Sequence, residues 1–280
     1  MKVHIDNKDT KLFTSIQAKP GKETIVLLHG GPGVPDGMTY LVEFLSRDFQ
    51  VITFHQRGTQ KSPTSGHDYS IKAYLSDLTR IADFLKVKKF HLFGHSWGGL
   101  YAQLYAEQHP ERLQSLFLCS PASGTGTQWK DTLLEIARYN KAKTTTLEWL
   151  NMNMQAGLGL LGSDSGYKHF FWQALENFSR GFKESHPEKF EVECIRAEAI
   201  NQTLKQIVAA PELPVFAHPA YDVTIAYGDQ DIIGDSKKHV LQRFPTAKVH
   251  TIPGSGHIPW SHNQKAFVKV LQEHYGIKPV

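Results

Sequence analysis

The pentapeptide Gly-His-Ser-Trp-Gly at residues 94–98 constrains the fold of this chain more than any other feature. A short apolar run, residues 89–93, precedes it, and a helical pattern of apolar residues begins at Trp97. A G-x-S-x-G sequence between a strand and a helix is typical of a sharp turn that lifts a serine hydroxyl above the edge of a sheet. The flanking glycines let neighbouring backbone pass closely, so we expect Ser96 to have a strained backbone conformation.

Apolar runs of strand length alternate with helical patterns along most of the chain. The runs are continuous, which is typical of parallel strands that are buried on both faces. The clearest helical pattern covers residues 70–86, with Ser70 placed to cap its N-terminus, and a second covers residues 97–108. The alternation predicts an α/β fold with a mostly parallel central sheet and helices on both faces. The predicted strands are residues 24–28, 51–54, 89–93, 113–119, 223–227 and 248–252.

The alternation stops between residues 122 and 216, where only helical patterns occur. A turn-rich segment, residues 121–126, opens this block, and the proline-bearing segment 210–214 closes it. We therefore expect residues 122–216 to form a helical cap, or lid, over the carboxyl edge of the sheet. Residues 1–121 and 217–280 would then form the α/β core beneath it. The predicted cap helices are residues 128–140, 144–155, 167–180 and 190–209.

A serine hydroxyl needs a general base to become a nucleophile at neutral pH, and the chain offers fifteen histidines. His257 follows the last predicted strand in a glycine-rich loop, which can bring an imidazole over the sheet edge. Asp231 follows strand 223–227 and is placed to orient that imidazole, with Asp229 as the competing acid. We favour Asp231, because the G-x-x-D spacing carries it past the strand end. The order Ser96, Asp231, His257 is the one expected when a serine triad is built on an open α/β sheet.

Backbone amides that stabilise a developing oxyanion are expected in two places. The N–H of Trp97 directly follows the candidate nucleophile, and His-Gly-Gly-Pro-Gly at residues 29–33 matches an oxyanion-hole loop that follows an earlier strand. The N–H of Gly31 is the candidate for the second donor. Pro32 has no N–H and cannot donate, but it stiffens the loop. His29 and His95 flank these sites and are expected to be hydrogen-bonded structural residues.

Composition argues against several other classes of protein. The net charge is only +4, and the basic residues are scattered along the chain rather than clustered in a patch. The sequence therefore predicts no nucleic-acid partner. The sequence contains no run of about 18 apolar residues, which a membrane span would need, and no signal-peptide pattern at its start. A cytoplasmic location is therefore the default expectation. The histidines and acids show no metal-ligand spacing, and the expected chemistry needs neither a metal nor a cofactor. Cys119 and Cys194 are expected to be buried thiols.

With these residues identified, the chain resembles the α/β-hydrolase superfamily and, more narrowly, the proline iminopeptidase family. The resemblance rests on residues 29–33, on His-Gln-Arg-Gly at residues 55–58 and on Gly-His-Ser-Trp-Gly-Gly at residues 94–99. That family usually carries an aspartate where this chain has His55 and a glycine where it has His95. The resemblance implies the family's fold and serine-hydrolase chemistry, and these departures concern the substrate.

The resemblance also implies cap glutamates that bind the free amino terminus of a peptide substrate. In the family one of them belongs to a W-x-x-W-E segment, to which residues 172–176 correspond with leucine in place of the second tryptophan. Glu176 is therefore one candidate, and Glu193 is a candidate for a second amine-binding carboxylate. For both residues the alternative is an exposed position on a helix face, where most charged side chains lie.

The sequence therefore predicts a serine hydrolase that releases an N-terminal residue, preferably proline, from small peptides. The alternative is a carboxylesterase, lactonase or amidase that acts on a small acyl substrate without a free amine. A ligand-binding or sensing protein with poor turnover is a third hypothesis. The expected partner is a small-molecule or short-peptide substrate, and the sequence predicts no particular oligomeric state.

Overall fold

One mixed sheet forms the centre of the molecule. The computed structural model describes residues 1–35, 37–184 and 186–278. Its strands are β1 (Lys2–Asn7), β2 (Thr10–Gln17), β3 (Thr24–Leu28), β4 (Gln50–Phe54), β5 (Phe90–His95), β6 (Leu113–Cys119), β7 (Asp222–Gly228) and β8 (Lys248–Ile252). Their order across the sheet is β1-β2-β4-β3-β5-β6-β7-β8. β2 pairs antiparallel with β1 and β4, and the other neighbouring strands pair in parallel. The predicted mostly parallel sheet is confirmed.

Helices cover both faces of this sheet. They are α1 (Thr39–Leu45), α2 (Ile71–Phe84), α3 (Trp97–Gln108), α4 (Thr127–Lys143), α5 (Thr146–Leu160), α6 (Asp164–Ser179), α7 (Ala197–Ala209), α8 (Lys237–Arg243), α9 (Pro259–His262) and α10 (Gln264–Tyr275). Successive side chains of a strand point to opposite faces, so β3 contributes to two apolar layers. Its residues Val26 and Leu28 pack with α2, α3 and α8, whereas Ile25 and Leu27 pack with α1 and α10. The predicted α/β architecture is thus confirmed, and no described helix is both long and apolar enough to cross a bilayer.

The residues between β6 and β7 form the helical block α4–α7. α5 begins where a capping box forms, because the Thr145 hydroxyl accepts the Glu148 N–H at 3.3 Å and the Glu148 carboxylate accepts the Thr145 N–H at 2.8 Å. α7 carries the block back over the sheet, where Ile207 packs in the same apolar layer as α2 and α3. We call α4–α7 and the segments that join them the cap.

Two parts of the chain differ from the sequence predictions. No strand is predicted before residue 24, yet β1 and β2 form an edge hairpin. The inward positions of β2 include Thr10 and Thr14 as well as Leu12, so no continuous apolar run marks it. The last cap helix begins at Ala197 rather than at residue 190, so that part of the prediction is wrong.

The reason for the late start of α7 lies in the backbone pairing of the segment before it. The Glu191 N–H donates to the Pro35 carbonyl at 3.0 Å, and the Cys194 carbonyl accepts the Gln60 N–H at 2.9 Å. These bonds hold the segment against two loops of the core. A short 3-10 helix (Val192–Cys194) forms there in place of the predicted α-helix.

Candidate active site

Ser96 lies at the turn between β5 and α3. Its backbone has φ 55° and ψ −120°, a conformation that a side-chain-bearing residue rarely adopts. The turn is possible because its neighbours are glycines. A Cβ on Gly98 would lie 2.5 Å from the His29 carbonyl oxygen and closer still to that of Leu28. The strained serine expected from the sequence is present at the carboxyl edge of the sheet.

The loop at residues 29–33 lies directly against this turn. A Cβ on Gly30 would be 3.3 Å from Cβ of Ser96. Gly31 has φ 122°, and a Cβ there would lie 2.7 Å from the backbone nitrogens of Gly33 and Val34. The position therefore requires glycine. The Trp97 N–H belongs to the first turn of α3, where the helix offers no i−4 carbonyl. Both amides assigned to the oxyanion hole therefore belong to segments adjacent to Ser96.

Gln56 forms hydrogen bonds both to the loop at residues 29–33, which we call the oxyanion loop, and to Trp97, the residue after Ser96. Its side-chain amide donates to the His29 carbonyl at 2.9 Å, and its carbonyl oxygen accepts the indole N–H of Trp97 at 2.8 Å. The Gln56 backbone N–H also donates to Nε2 of His29 at 3.2 Å. The proton of that ring is therefore on Nδ1, which donates to the Gly30 carbonyl at 2.8 Å. The hydrogen-bonded His29 agrees with the prediction from the sequence, whereas no local sequence pattern indicates the role of Gln56.

Asp231 and His257 are joined by a hydrogen bond of 2.8 Å between Oδ1 and Nδ1. Asp231 also accepts the Ser120 hydroxyl at 2.5 Å and the Ile233 N–H at 3.1 Å. The side chains of His257 and Asp231 are only 3% and 1% exposed. Burial raises the pKa of Asp231, but the charge of His257 and these hydrogen bonds outweigh burial and lower it overall. The ionised carboxylate holds Nδ1 as a donor, which gives Nε2 of His257 the role of proton acceptor.

Asp229, the competing acid, has a different contact. Its carboxylate accepts the backbone N–H groups of Gly254 and Ser255 at 2.9 and 3.0 Å. It therefore fixes the loop that leads to His257 rather than the imidazole itself. His262 supports the same loop from the other side, because its Nδ1 accepts the Gly256 N–H at 3.0 Å.

Aromatic side chains surround the imidazole of His257. The ring of His95 lies 4.8 Å from it, and the ring of Phe178, at the end of α6, lies 5.3 Å from it. α7 of the cap lies over the oxyanion loop, since a Cβ on Gly33 would be 3.2 Å from the Ile200 side chain. Only 2% of His257 is exposed beneath these contacts. The cap therefore lies close to the imidazole and to the loop at residues 29–33, whereas Ser96 itself is partly exposed.

The two carboxylates assigned to amine recognition lie on the surface of the cap. The Glu193 side chain is 77% exposed and lies 3.0 Å from the Lys168 ammonium group. The Glu176 side chain is 64% exposed and lies 4.0 Å from the Arg180 guanidinium group. Both carboxylates are thus mostly exposed, and each has a basic side chain nearby. Both positions fit the alternative prediction, in which these glutamates are exposed surface residues.

His55 stands where the resembled family has an aspartate, at the end of β4. Its ring lies 6.5 Å from that of His29. Burial lowers the pKa of His55, and the neighbouring His29 lowers it further. Its Nε2 is 3.6 Å from a carboxylate oxygen of Glu191. A neutral imidazole beside a carboxylate of the cap therefore replaces the family's negative charge here.

Comparison with known proteins places these features in a family. The sequence pattern described as the alpha/beta hydrolase fold matches residues 23–261. A proline iminopeptidase of Lactobacillus acidophilus is 32% identical over 124 residues, which are 42% of this chain and 42% of that enzyme. A proline iminopeptidase of Clostridioides difficile is 24% identical over 273 residues, which are 90% of this chain and 89% of that enzyme. The enol-lactonase of Burkholderia xenovorans has a similar structure, with a TM-score of 0.66 and 21% identity over 99% of this chain and all of the lactonase.

Proposed function

The chain belongs to the α/β-hydrolase fold family, and we propose that it is a serine hydrolase with Ser96, His257 and Asp231 as its catalytic triad. The observation that carries the proposal is the buried hydrogen bond of 2.8 Å between His257 and Asp231, at the sheet edge where Ser96 has its strained turn. A buried carboxylate at this place holds the imidazole in the tautomer that can accept the proton of a serine hydroxyl.

Each residue has a defined step in the proposed reaction. The Ser96 oxygen attacks the carbonyl carbon of the substrate as its proton passes to Nε2 of His257. The N–H groups of Gly31 and Trp97 stabilise the negative charge that develops on the carbonyl oxygen. His257 then gives the proton to the leaving group, and an acyl group remains on Ser96. Water, activated by the same imidazole, releases the acid and restores the serine.

The first candidate substrate class is a small peptide with a free N-terminal proline. The similarity to two proteins named proline iminopeptidase supports it, one of them over 90% of this chain. Glu176 and Glu193 give it little support, since both side chains are mostly exposed and have basic neighbours.

The second candidate is a small ester, lactone or amide without a free amine. The neutral His55 in place of an acidic residue, and the exposure of the two cap glutamates, favour this class. The buried imidazole under Phe178 also suits a small substrate. A ligand-binding protein with poor turnover remains the third hypothesis, which an activity measurement distinguishes from both.

One set of assays separates these candidates. Rates are measured on proline p-nitroanilide, on its N-acetylated form and on p-nitrophenyl acetate, for the wild type and for Ser96→Ala. The serine-hydrolase proposal requires that Ser96→Ala lose nearly all turnover of every substrate that the wild type cleaves. Equal rates on the two anilides would exclude amine recognition, and cleavage of the ester alone would support the second candidate. Undiminished turnover by Ser96→Ala would contradict the proposal.

A further inference from the structure

Three side chains with metal-binding atoms meet where the cap joins the core. His55 comes from the end of β4, and Glu191 and Cys194 come from the segment before α7. The Glu191 carboxylate oxygen lies 3.6 Å from Nε2 of His55 and 3.3 Å from Sγ of Cys194. One ligand atom from each of the three residues lies within 4.8 Å of the other two. The sequence predicted no metal site, because His55 is distant in the chain from Glu191 and Cys194.

The surroundings of His55 leave room for a further ligand. A cavity of about 140 Å³ is lined by two of the three residues, His55 and Glu191, together with His29, and Cys194 lies outside its lining. That volume holds several water molecules, so a hydrated ion can enter it. The cluster is therefore not closed by protein contacts on every side.

We propose that His55, Glu191 and Cys194 bind a divalent cation of the zinc class. An imidazole, a thiolate and a carboxylate are the ligands that Zn²⁺ accepts, whereas Mg²⁺ and Ca²⁺ prefer oxygen ligands alone. Zinc is four-coordinate in most protein sites, and the fourth position here goes to water from the cavity. On binding, the Cys194 thiol loses its proton to solvent, and the thiolate coordinates the ion.

The cation has to displace two existing contacts of Glu191. The Cys194 thiol donates a hydrogen bond of 3.3 Å to the Glu191 carboxylate, and this bond is lost when the thiol gives up its proton. The Lys61 ammonium group forms an ion pair with the Glu191 carboxylate. The Lys61 side chain is 39% exposed, so its ammonium group can turn to solvent when the metal arrives. Lys61 is therefore a competitor for Glu191, and its removal should strengthen metal binding.

A metal at this place joins the cap to the oxyanion-loop side of the core. The same segment already holds the core through its backbone bonds to Pro35 and Gln60. A ligand that binds only the folded state stabilises it in proportion to the logarithm of its free concentration over its dissociation constant. The bound cation should therefore raise the melting temperature of the whole chain.

The test uses the full-length protein after treatment with a chelator, with Co²⁺ as the spectroscopic probe and Zn²⁺ as the competitor. The wild type should bind one equivalent of Co²⁺ with a thiolate-to-cobalt charge-transfer band, and Zn²⁺ should remove that band and raise the melting temperature. Cys194→Ser should lose the band, and His55→Gln should weaken binding at least tenfold. Cys119→Ser, which removes the other buried thiol, should bind as the wild type does, and Lys61→Met should bind more tightly.

These outcomes do not depend on catalysis, because no substrate is present. The proposal is overturned if the wild type shows no charge-transfer band, or if the band persists in Cys194→Ser or disappears in Cys119→Ser. Circular dichroism of each variant checks that it is folded. If Cys194→Ser does not fold, the variants His55→Gln and Lys61→Met decide. Co²⁺ affinity that is lower than wild type in His55→Gln and higher in Lys61→Met supports the site, and wild-type affinity in both variants excludes it.

Discussion

Nε2 of His95 donates a hydrogen bond to the backbone carbonyl of His257 at 2.9 Å. The residue before the candidate nucleophile thus holds the loop that carries the candidate base. His95 and Ser96 are consecutive, so this bond links the position of the imidazole to the turn after β5. His95 is 3% exposed, and its ring also packs 4.8 Å from that of Trp260. We infer that His95 is a positioning residue for His257.

The first prediction concerns His95. Replacing it with leucine removes this donor to a buried carbonyl, and the loss of such a hydrogen bond costs about 1–3 kcal/mol. If that cost falls on the placement of His257, kcat should drop about 10- to 100-fold while KM changes little. Steady-state kinetics on the best substrate of the assay set measure both constants. His95→Gln, which can keep a donor, should recover part of kcat, and an unchanged kcat in His95→Leu would refute the role.

The second prediction separates the two acids after β7. Asp231→Asn should reduce kcat by roughly 10⁴-fold, because an amide cannot stabilise the imidazolium and can hold the wrong tautomer. Asp229→Asn is the matched control, since Asp229 contacts backbone N–H groups of the same loop. It should lower the melting temperature and reduce kcat far less. Similar losses of kcat in the two variants would mean that Asp231 acts only by supporting the loop.

The third prediction concerns the glycines of the Ser96 turn. Gly98→Ala places a methyl group against the carbonyl oxygens of Leu28 and His29, so the turn cannot form without displacing β3. We expect a large loss of both stability and activity, measured by thermal unfolding and ester hydrolysis. The control is Gly157→Ala in α5, where a Cβ meets nothing within 4 Å. Alanine there should raise the free energy of unfolding by up to about 1 kcal/mol.

The fourth prediction concerns acid stability. Burial is the main cause that lowers the pKa of His262 to about 4 and that of His274 to about 3, from 6.5. Because the folded-state values lie below the unfolded ones, the unfolded chain binds more protons at acidic pH. The stability these neutral rings provide is complete above about pH 6.5 and falls as the pH drops towards 4 and 3.

Each such histidine lowers the free energy of unfolding by about 1 kcal/mol per pH unit in that window. Chemical denaturation at several pH values between 7 and 4 measures this slope. His274→Asn is the informative variant, because its amide can still bond to Thr224 and Ser115, which the imidazole now contacts at 2.8 Å. It should have a shallower slope than the wild type. The same slope in both proteins would rule out this explanation.

Continuous apolar runs made the centre of the fold predictable from sequence. The predicted bounds of β6, β8 and α3 agree with the structure. The β1–β2 hairpin is not predictable in this way, because β2 has threonine at two of its inward positions and therefore contains no such run. The start of α7 was misjudged because backbone bonds to Pro35 and Gln60, which no local pattern encodes, hold the preceding segment.

The candidate site likewise contains some residues that local sequence patterns predict and others that only the folded chain reveals. Ser96, Asp231 and His257 follow strands within recognisable local sequences, so each can be assigned from its own neighbourhood. The contacts of Gln56 with His29 and Trp97 join three distant segments, and only the folded chain reveals them. The assignment of Glu176 and Glu193 relied on family resemblance in the cap, and both are mostly exposed.

The most direct measurement of the central claim is the site of reaction with a fluorophosphonate probe, located by peptide mass spectrometry on folded protein. We predict one adduct, on the hydroxyl of Ser96, which forms much more slowly in His257→Gln and is absent in Ser96→Ala. Folded wild-type protein that remains unlabelled, or that is labelled at another residue, would contradict the proposed triad.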